Sequence, residues 1–412
     1  MSVSSGGLLE GIKVVEAAAM VMVPSVGAML CDYGAEVVKI ESLEGDFNRR
    51  GHLIPGMPKH PEEYEYTFLP DNRGKRSLAL NLKDPAGHEI LMKLLDGADV
   101  FLTNTRQKAL DRLGLGYKEI SARNPRLVYA HGTGFGDRGP EADKPGFDAV
   151  SYWSRSGMEA SLFPEEGWLG STGYGTGDHP SGMSLFSAVM LALFARERTG
   201  KGGRVSTSLL ANGAWANAII IQARLLHTQF QERRAREDAR NFTGVYYRAG
   251  DGRIFKMAVP DIEPGWPKVC RAIGRPDLID DPRYATLEAR SQDGHMKELI
   301  ELCDQIFATR PVEHWQMTLE REDVPHSLVA NYDDVEADEQ MAANDIFVEF
   351  DHPDLGKLRT VNSPFELDDH AKVRPRPAPG HGEHSAEVLA ELGLDAGRIE
   401  ELVERGVVKA GA

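Results

Sequence analysis

Two hydrophobic periods alternate in the first third of the chain. Short runs rich in Val, Ile and Leu are typical of buried strands, and the segments between them carry apolar residues at helical spacing. The predicted strands are 13–16, 35–41, 77–81, 99–103 and 126–131, and the predicted helices between them are 26–33, 85–95 and 120–124. This alternation predicts βαβ units and a mainly parallel sheet, in which ligands bind at the carboxyl ends of the strands.

The middle of the chain has a different pattern. A glycine-rich loop at 170–177 leads into a long apolar helix, which Gly200 ends. Arg196 and Arg198 lie in the last turn of this helix, where positive charge suits the helix dipole. A second helix is predicted over 212–229.

The last third of the chain indicates a second, smaller domain. A hairpin that turns at 251–252 is followed by several helical segments, which is typical of an α+β arrangement. We therefore predict an α/β protein with a large Rossmann-like domain built from 1–225 and completed by 336–412. A small α+β domain at 226–335 is inserted between these two parts.

Composition narrows the possible functions. The 412 residues carry a formal net charge of −16, which disfavours non-specific binding to nucleic acid or to an anionic membrane. Cys31, Cys270 and Cys303 have neither zinc-site nor disulfide spacing. The longest mostly apolar stretch, 183–195, is too short to span a bilayer, and the N-terminus has no signal-peptide pattern. We expect a cytoplasmic protein without nucleic-acid or membrane partners and without a metal site.

Several common catalytic motifs are absent from the sequence. The first predicted strand is not followed by GxGxxG, and GxxxxGK[ST] occurs nowhere. The metalloprotease motif HExxH and the hydrolase motif GxSxG are missing as well. These absences disfavour a nicotinamide-dependent dehydrogenase, a P-loop enzyme, a zinc protease and an α/β-hydrolase.

Asp178 is the most informative carboxylate in the chain. It follows the glycine-rich loop and precedes the long helix, so one interpretation is an N-cap residue assisted by Ser181. In the other interpretation it is a nucleophile, and backbone amides at the helix start stabilise the charge that develops. A carboxylate nucleophile forms a mixed anhydride reversibly and can therefore pass an acyl group between partners.

Basic residues cluster near predicted strand ends, which has two interpretations. They form either a solvated surface or a site for an anionic, phosphate-bearing ligand, and the second is favoured in so acidic a chain. The residues are Arg73, Lys75, Arg76, Lys83, Arg106, Lys108 and Arg112.

Taken in order, several segments resemble the class III coenzyme A-transferases, a group that includes formyl-CoA transferase, carnitine CoA-transferase and the α-methylacyl-CoA racemases. The segments are GIKVVEAAAMVMVPSVGAMLCDYGAEVVKIES (11–42), NRGKRSLALNLKDPAG (72–87), ADVFLTNT (98–105), LDRLGLGY (110–117), NPRLVYAHGTGFGDRGP (124–140) and LALFARERTGKGG (191–203). The resemblance implies a Rossmann-like large domain and a homodimer of interlocked rings. It also implies acyl-CoA and a carboxylic acid as substrates, with no permanently bound cofactor.

The resemblance assigns a role to Asp178. The family's catalytic aspartate lies in a GDxxTG-like motif, and the match here is Gly177-Asp178-His179-Pro180-Ser181-Gly182. This implies that Asp178 attacks the acyl-CoA thioester and then carries CoA as an aspartyl thioester. His179 is interpreted as a local loop residue, and no role is assigned to Glu263.

The resemblance also implies a set of CoA contacts. Matched positions are Val21, Met22, Leu80, Asn81, Leu82, Lys83, Asn104, Thr105, Arg106 and Arg112, with Lys144 one place from a CoA-contacting lysine. Two positions depart from the family pattern: Ser42 replaces an arginine, and Gln107-Lys108 replaces Pro-Gly.

Other positions separate the possible reactions and substrates. Racemases have Gly-His-Asp where this chain has Gly146-Phe147-Asp148, and phenylalanine carries no proton. Val21 replaces a glutamine of the formyl-CoA transferases, and their tetraglycine loop has no match. Tyr152 and Trp153, together with 20–23, are interpreted as walls of an apolar acyl pocket or as core. The prediction is CoA transfer to a medium-sized apolar acid. The alternatives are an isomerase, either a racemase or an intramolecular CoA shift, and a non-catalytic acyl-CoA-binding subunit.

Overall fold

The computed structural model describes residues 7–59, 64–162, 170, 173–229, 235, 236, 239–259, 262–292 and 294–411. These residues divide into two compact units. The first takes in the chain up to 162, then 170–228, and the segment from 343 onward, and the second spans 229–342. The first unit carries the large sheet.

The strands and helices below are numbered along the chain. The strands are β1 Lys13–Ala17, β2 Glu36–Glu41, β3 Arg76–Leu80, β4 Val100–Thr103, β5 Val128–Thr133, β6 Gly203–Ser208, β7 Tyr246–Arg248, β8 Ile254–Met257, β9 His326–Leu328, β10 Phe347–His352, β11 Gly356–Val361 and β12 Val408–Lys409. The α-helices are α1 Met22–Asp32, α2 Leu69–Asn72, α3 Pro85–Asp96, α4 Gln107–Arg112, α5 Tyr117–Arg123, α6 Met158–Leu162, α7 Asp178–Thr199, α8 Leu209–Ala216, α9 Ala218–Leu225, α10 Ile262–Ala272, α11 Leu287–Arg290, α12 His295–Phe307, α13 Val312–Arg321, α14 Tyr332–Ala337, α15 Glu339–Ala343, α16 Ser385–Glu391 and α17 Ala396–Glu404.

The large sheet has the strand order β12-β3-β2-β1-β4-β5-β6. Strands β1 to β6 pair in parallel, and the short β12 closes the β3 edge in antiparallel pairing. The order reverses between β2 and β4, on either side of β1, which makes the carboxyl end of β1 the switch point at which such sheets bind ligands. The predicted α/β fold with a mainly parallel sheet is confirmed.

Both faces of the sheet are covered by helices. Val14 of β1 packs in a core with Met22 of α1 and Leu185 of α7. The next residue, Val15, faces the other side and packs in a core with Ile90 of α3 and Val388 of α16. Because successive strand residues point to opposite faces, strands covered on both sides are apolar in nearly continuous runs.

The helices α1 and α7 are in backbone contact at Gly182. A Cβ atom there would lie 2.2 Å from the Ser25 Oγ and 2.6 Å from the Met22 carbonyl oxygen. No side chain can therefore occupy position 182 without separating the two helices. This contact holds the N-termini of α1 and α7 beside one another.

Two predicted helices need correction. The helix predicted to begin at 26, after Pro24, begins at Met22, because a proline in the first turn lacks only an N–H that has no helical partner. The helix predicted over 212–229 is divided at Asn217 into α8 and α9. The Asn217 side chain donates to the Ser156 carbonyl, and its backbone leaves the helical range.

Strand β6 at the sheet edge is absent from the sequence prediction.

The second unit has its own core. A three-stranded antiparallel sheet of order β7-β8-β9 packs with α10, α12 and α13 around aromatic side chains that include Trp266 and Phe307. The predicted hairpin turn is present, and Gly252 has φ +84°, a left-handed conformation that favours glycine. Across the described ranges, no helix combines the length and hydropathy needed to cross a membrane.

The predicted anion site at 72–77 is wrong, because its basic side chains are held in ion pairs inside the fold. Arg73 pairs with Asp32 at 2.5 Å, and Arg76 reaches two glutamates of α16. The Lys75 Nζ lies 2.8 Å from an Oε atom of Glu16. These residues precede or begin β3, so they lie away from the carboxyl end of the strand.

Glu16 is the centre of a buried charge network. It also pairs with Lys39 at 3.1 Å, and the side chains of Glu16, Lys39 and Lys75 are all fully buried. Lys39 in turn lies 2.9 Å from Asp46, beyond the end of β2. Two buried ammonium groups therefore share the Glu16 carboxylate, and Lys39 has Asp46 as a second anionic partner.

Glu16→Gln should be strongly destabilising, because it leaves Lys39 and Lys75 without the carboxylate that they share. The expected loss is about 3–5 kcal/mol, measured as a lower urea midpoint by circular dichroism. Asp96→Asn is the control, since its pair with Arg123 is exposed and contributes ~1 kcal/mol or less. Equal midpoints for the two variants would contradict the structural role of Glu16.

Candidate active site

Asp178 is the first residue of α7. The N-cap is Gly177, where a Cβ would lie 2.7 Å from the Tyr152 ring, so only glycine fits. The Asp178 N–H donates to the Gly175 carbonyl, and the Ser181 hydroxyl donates to the Gly177 carbonyl at 2.7 Å. The interpretation of Asp178 as the N-cap is therefore wrong, and its carboxylate is not used in capping the helix.

The surroundings of Asp178 disfavour its charged form. Burial, followed by the Asp148 carboxylate and then that of Asp71, raises the pKa of Asp178 to about 7, against an opposing effect of His179. Asp148 itself is fixed, because it accepts the Gly177 N–H at 3.1 Å and the Ala149 N–H at 2.7 Å. The pKa of Asp178 therefore lies well above the usual range of an aspartate.

A cleft of about 550 Å³ opens at the carboxyl ends of the central strands. Its walls come from the segments that follow β1, β2, β3 and β4. They comprise Ala17, Ala18, Ala19, Ile40, Glu41, Ser42, Leu43, Glu44, Gly45, Asp46, Phe47, Leu80, Asn81, Leu82, Lys83, Asn104, Thr105 and Leu113. Its position is the switch point of the sheet, where α/β proteins bind ligands.

A smaller cavity of about 100 Å³ contains Asp178. Its other lining residues are Met20, Met22, Asn104, Arg106, Gly132, Thr133, Gly134, Ala142, Lys144, Pro145, Gly146, Phe147 and Leu209. Asn104 lines both the cleft and the cavity. The two spaces therefore adjoin at Asn104, whose side chain accepts from the Ala19 N–H at 3.1 Å and donates to the Ala19 carbonyl at 2.6 Å.

Comparison with known proteins identifies the family. The model of CoA-transferase family III matches residues 9–385, which is most of the chain. The chain belongs to CoA-transferase family III. The chain is a CoA-transferase.

Relatives with named activities cover nearly the whole enzyme. It is 32% identical over 406 residues to (R)-2-hydroxy-4-methylpentanoate CoA-transferase of Clostridioides difficile, covering 98% of this chain and 100% of the relative. It is also 32% identical to cinnamoyl-CoA:phenyllactate CoA-transferase of Clostridium sporogenes, covering 96% of each.

Solved structures share the fold of this CoA-transferase. A CaiB/BaiF family protein from Brucella suis has a TM-score of 0.81 at 28% identity, covering 94% of this chain and 100% of that one. Rv3272 from Mycobacterium tuberculosis has a TM-score of 0.77 at 29% identity, with coverages of 92% and 99%.

The fold of the transferase brings most of the predicted CoA contacts together. The cleft contains Leu80, Asn81, Leu82, Lys83, Asn104 and Thr105, and the cavity contains Met22, Asn104, Arg106 and Lys144. Two predicted residues lie elsewhere: Val21 is buried beside Gly175, and Arg112 is exposed on α4, outside both linings.

Of the two interpretations of Tyr152 and Trp153, pocket wall or core, the structure supports the core. Tyr152 is buried beneath Gly177 in the core that also contains Val14, Met22 and Leu185, and Trp153 packs against that core. Phe147 does line the Asp178 cavity, at the position where racemases carry histidine. Within the described ranges, no group of three or more His, Cys, Asp or Glu side chains is arranged to hold a metal ion.

Sequence reasoning missed the backbone constraint at Met20. This residue has φ +71°, which is unusual for a non-glycine residue, and it lines the Asp178 cavity. Its N–H donates to the Asp46 carboxylate at 3.1 Å, and its carbonyl accepts from the Asn48 side chain at 3.3 Å. The position of Asp46 just after a predicted strand was the available signal, but the pairing spans 26 residues.

Proposed function

We propose that this chain transfers CoA from an acyl-CoA to a medium-sized apolar carboxylic acid, with Asp178 as the nucleophile. The observation that carries the proposal is that Asn104 lines both a large cleft at the strand ends and a small cavity containing Asp178. The cleft suits a nucleotide-bearing substrate, and the cavity suits the thioester that this substrate presents. No resident cofactor takes part, because CoA is itself the group transferred.

The first half-reaction moves CoA onto the enzyme. An oxygen of ionised Asp178 attacks the thioester carbonyl carbon, the carbon–sulfur bond breaks, and CoA leaves as its thiolate. The thiolate then attacks the Asp178 Cγ of the mixed anhydride. The anhydride carbon–oxygen bond breaks, which releases the donor acid as a carboxylate and leaves an aspartyl-CoA thioester.

The second half-reaction reverses these steps with a new acid. The acceptor carboxylate attacks the aspartyl thioester, and the thiolate is released while a second mixed anhydride forms. Attack of the thiolate on the acceptor carbonyl yields the new acyl-CoA and restores Asp178. Each step exchanges one activated acyl bond for another, so the sequence needs neither redox chemistry nor an energy source.

The walls of the cavity support an apolar acceptor. Met20, Met22, Phe147 and Leu209 face the space beside Asp178. Two relatives are named for 2-hydroxy-4-methylpentanoate and phenyllactate, which are acids with branched and aromatic side chains. Phe147 offers no proton-transfer group, which favours CoA transfer over racemisation.

We infer that two copies of the chain form a homodimer. Large apolar side chains are exposed on three successive helices of the first unit: Leu191 and Phe194 on α7, Trp215 on α8, and Ile219 and Leu225 on α9. Trp215 and Ile219 are more than 80% exposed, and apolar side chains of this size commonly mark interaction surfaces. Family resemblance supports a second copy of this chain as the partner.

Asp178→Ala should abolish CoA transfer, because no other group forms the anhydride. We expect the rate to fall by roughly 10³-fold or more, while acyl-CoA binding measured by calorimetry is retained. Intact-mass spectrometry of the wild type with acyl-CoA should show a CoA adduct that hydroxylamine converts to a hydroxamate at Asp178. Wild-type turnover by the variant would contradict the assignment.

Lys83→Ala should weaken binding of acyl-CoA, because Lys83 is an exposed cation on the wall of the cleft. The expected change is a roughly tenfold higher KM with kcat little altered, the value of one charge-assisted contact. Lys93→Ala is the matched control, since this lysine pairs with Glu89 on α3 outside the cleft lining. Equal KM values for the two variants would argue against a nucleotide in this cleft.

Trp215→Asp should disrupt the homodimer, because a charge would have to be buried in the apolar contact. Light scattering after size exclusion should give twice the chain mass for the wild type and a smaller mass for the variant. Tyr332→Asp is the control, because Tyr332 is even more exposed than Trp215 but lies on α14, outside the three helices. A monomeric wild type would contradict the inference.

A further inference from the structure

His179, the residue after the nucleophile, has both ring nitrogens engaged. Its Nδ1 lies 3.1 Å from the Gly175 carbonyl oxygen, and its Nε2 lies 3.0 Å from the Asp71 Oδ1. A carbonyl oxygen and an ionised carboxylate can only accept hydrogen bonds, so each ring nitrogen must donate one. This geometry favours the doubly protonated, positively charged imidazole.

The partners of His179 belong to elements that frame the active site. Asp71 lies on α2 and its side chain is almost completely buried. Gly175 belongs to the loop before α7 and has φ +73°. The two hydrogen bonds of His179 therefore tie this loop and the first turn of α7 to α2.

His179 does not face the substrate cavity. It lines a separate cavity of about 360 Å³ with Met29, Pro180 and Met183, and it is not part of the wall around Asp178. His179 can therefore affect the reaction only indirectly, by positioning the loop and helix that carry Asp178 or by the charge of its ring.

We propose that His179 is a positioning residue that places a fixed cation beside Asp178 and thereby favours its reactive carboxylate form. The proposal rests on the proposed function, in which Asp178 is the nucleophile. The cation comes from the residue that adjoins the nucleophile in the chain, and Asp71 keeps it protonated.

The other charged groups near Asp178 and His179 are consistent with His179 acting as the cation. Asp71 on α2 and Asp148 on the neighbouring turn are carboxylates, and Arg73, which lines the same cavity as His179, is engaged by Asp32. The phenol of Tyr174 is neutral, since burial raises its pKa to about 12.

Arg106 and Lys144 also line the Asp178 cavity, but Arg106 donates to the Asp143 carbonyl and Lys144 pairs with Glu141 at 3.0 Å. The cation that lowers the pKa of Asp178 is His179. Burial opposes its protonation, but the hydrogen bond and charge of Asp71 outweigh burial and raise the pKa of His179 to about 9. The cation is thus present throughout the range in which Asp178 titrates.

The sign of the effect follows from the charge. Removing the cation raises the pKa of Asp178, so a smaller fraction is ionised at neutral pH. In the pH profile of kcat/KM, His179→Gln should move the midpoint of the acid limb to higher pH by on the order of one pH unit. At alkaline pH, where Asp178 is ionised in both proteins, the two kcat/KM values should converge.

The experiment measures the pKa of Asp178 directly as well as through turnover. Carboxyl carbon-13 NMR of the free enzyme, labelled at Asp and assigned by loss of a signal in Asp178→Asn, should give the same upward shift in His179→Gln. His179→Arg keeps a cation with several donors and should restore most of the wild-type midpoint. Asp148→Asn removes a repelling charge, so it should move the midpoint to lower pH.

The outcomes separate this proposal from the proposed function. An unchanged NMR midpoint in His179→Gln, with kcat/KM reduced equally at every pH, would show a purely structural role and overturn the proposal. Turnover retained by Asp178→Asn would overturn the nucleophile assignment instead, and the NMR titration would still report whether His179 controls the Asp178 pKa.

Discussion

The contact between α1 and α7 decides where the chemistry is located. Gly182 lets the two helices touch through their backbones, with the Met22 carbonyl and the Ser25 hydroxyl in the space that a side chain would take. Four residues before Gly182, α7 begins at Asp178, and α1 begins at Met22. Asp178, the proposed nucleophile, and one wall of its cavity are therefore brought together by the packing of the core, independently of any ligand.

A carboxylate nucleophile has to be ionised and also basic enough to react, and the charges around Asp178 affect both properties. A carboxylate stabilised by cations is fully ionised but a weak nucleophile, whereas one surrounded by other carboxylates is more basic but partly protonated. Burial and Asp148 raise the pKa of Asp178 to about 7, and His179 limits the rise. Carboxylates thus lie around Asp178 as well as on the surface of this acidic chain, and they raise its pKa.

Sequence patterns predicted the features of the fold that depend on residues close together in the chain. The five strands of the first third, the long helix after the glycine-rich loop and the family motif around Asp178 are local in the chain. The basic residues at 73–76 could not be interpreted in this way, because their partners Asp32 and Glu16 lie 41 and 59 residues away. The pairing of His179 with Asp71 spans 108 residues and has no local signal. Strand β6, which carries Arg, Ser and Thr, lacks the apolar run of the central strands because it lies at the sheet edge.

Asp46 connects the stability of the fold to the shape of the site. One oxygen of its carboxylate pairs with buried Lys39, which belongs to the network around Glu16, and the other accepts the Met20 N–H. Met20 has a positive φ, a conformation that costs free energy and persists only where the surroundings impose it. Asp46 lines the larger cleft and Met20 lines the cavity of Asp178, so this hydrogen bond crosses the junction between the two spaces. The buried charges that hold β1, β2 and β3 together therefore also fix the backbone between the cleft and the Asp178 cavity.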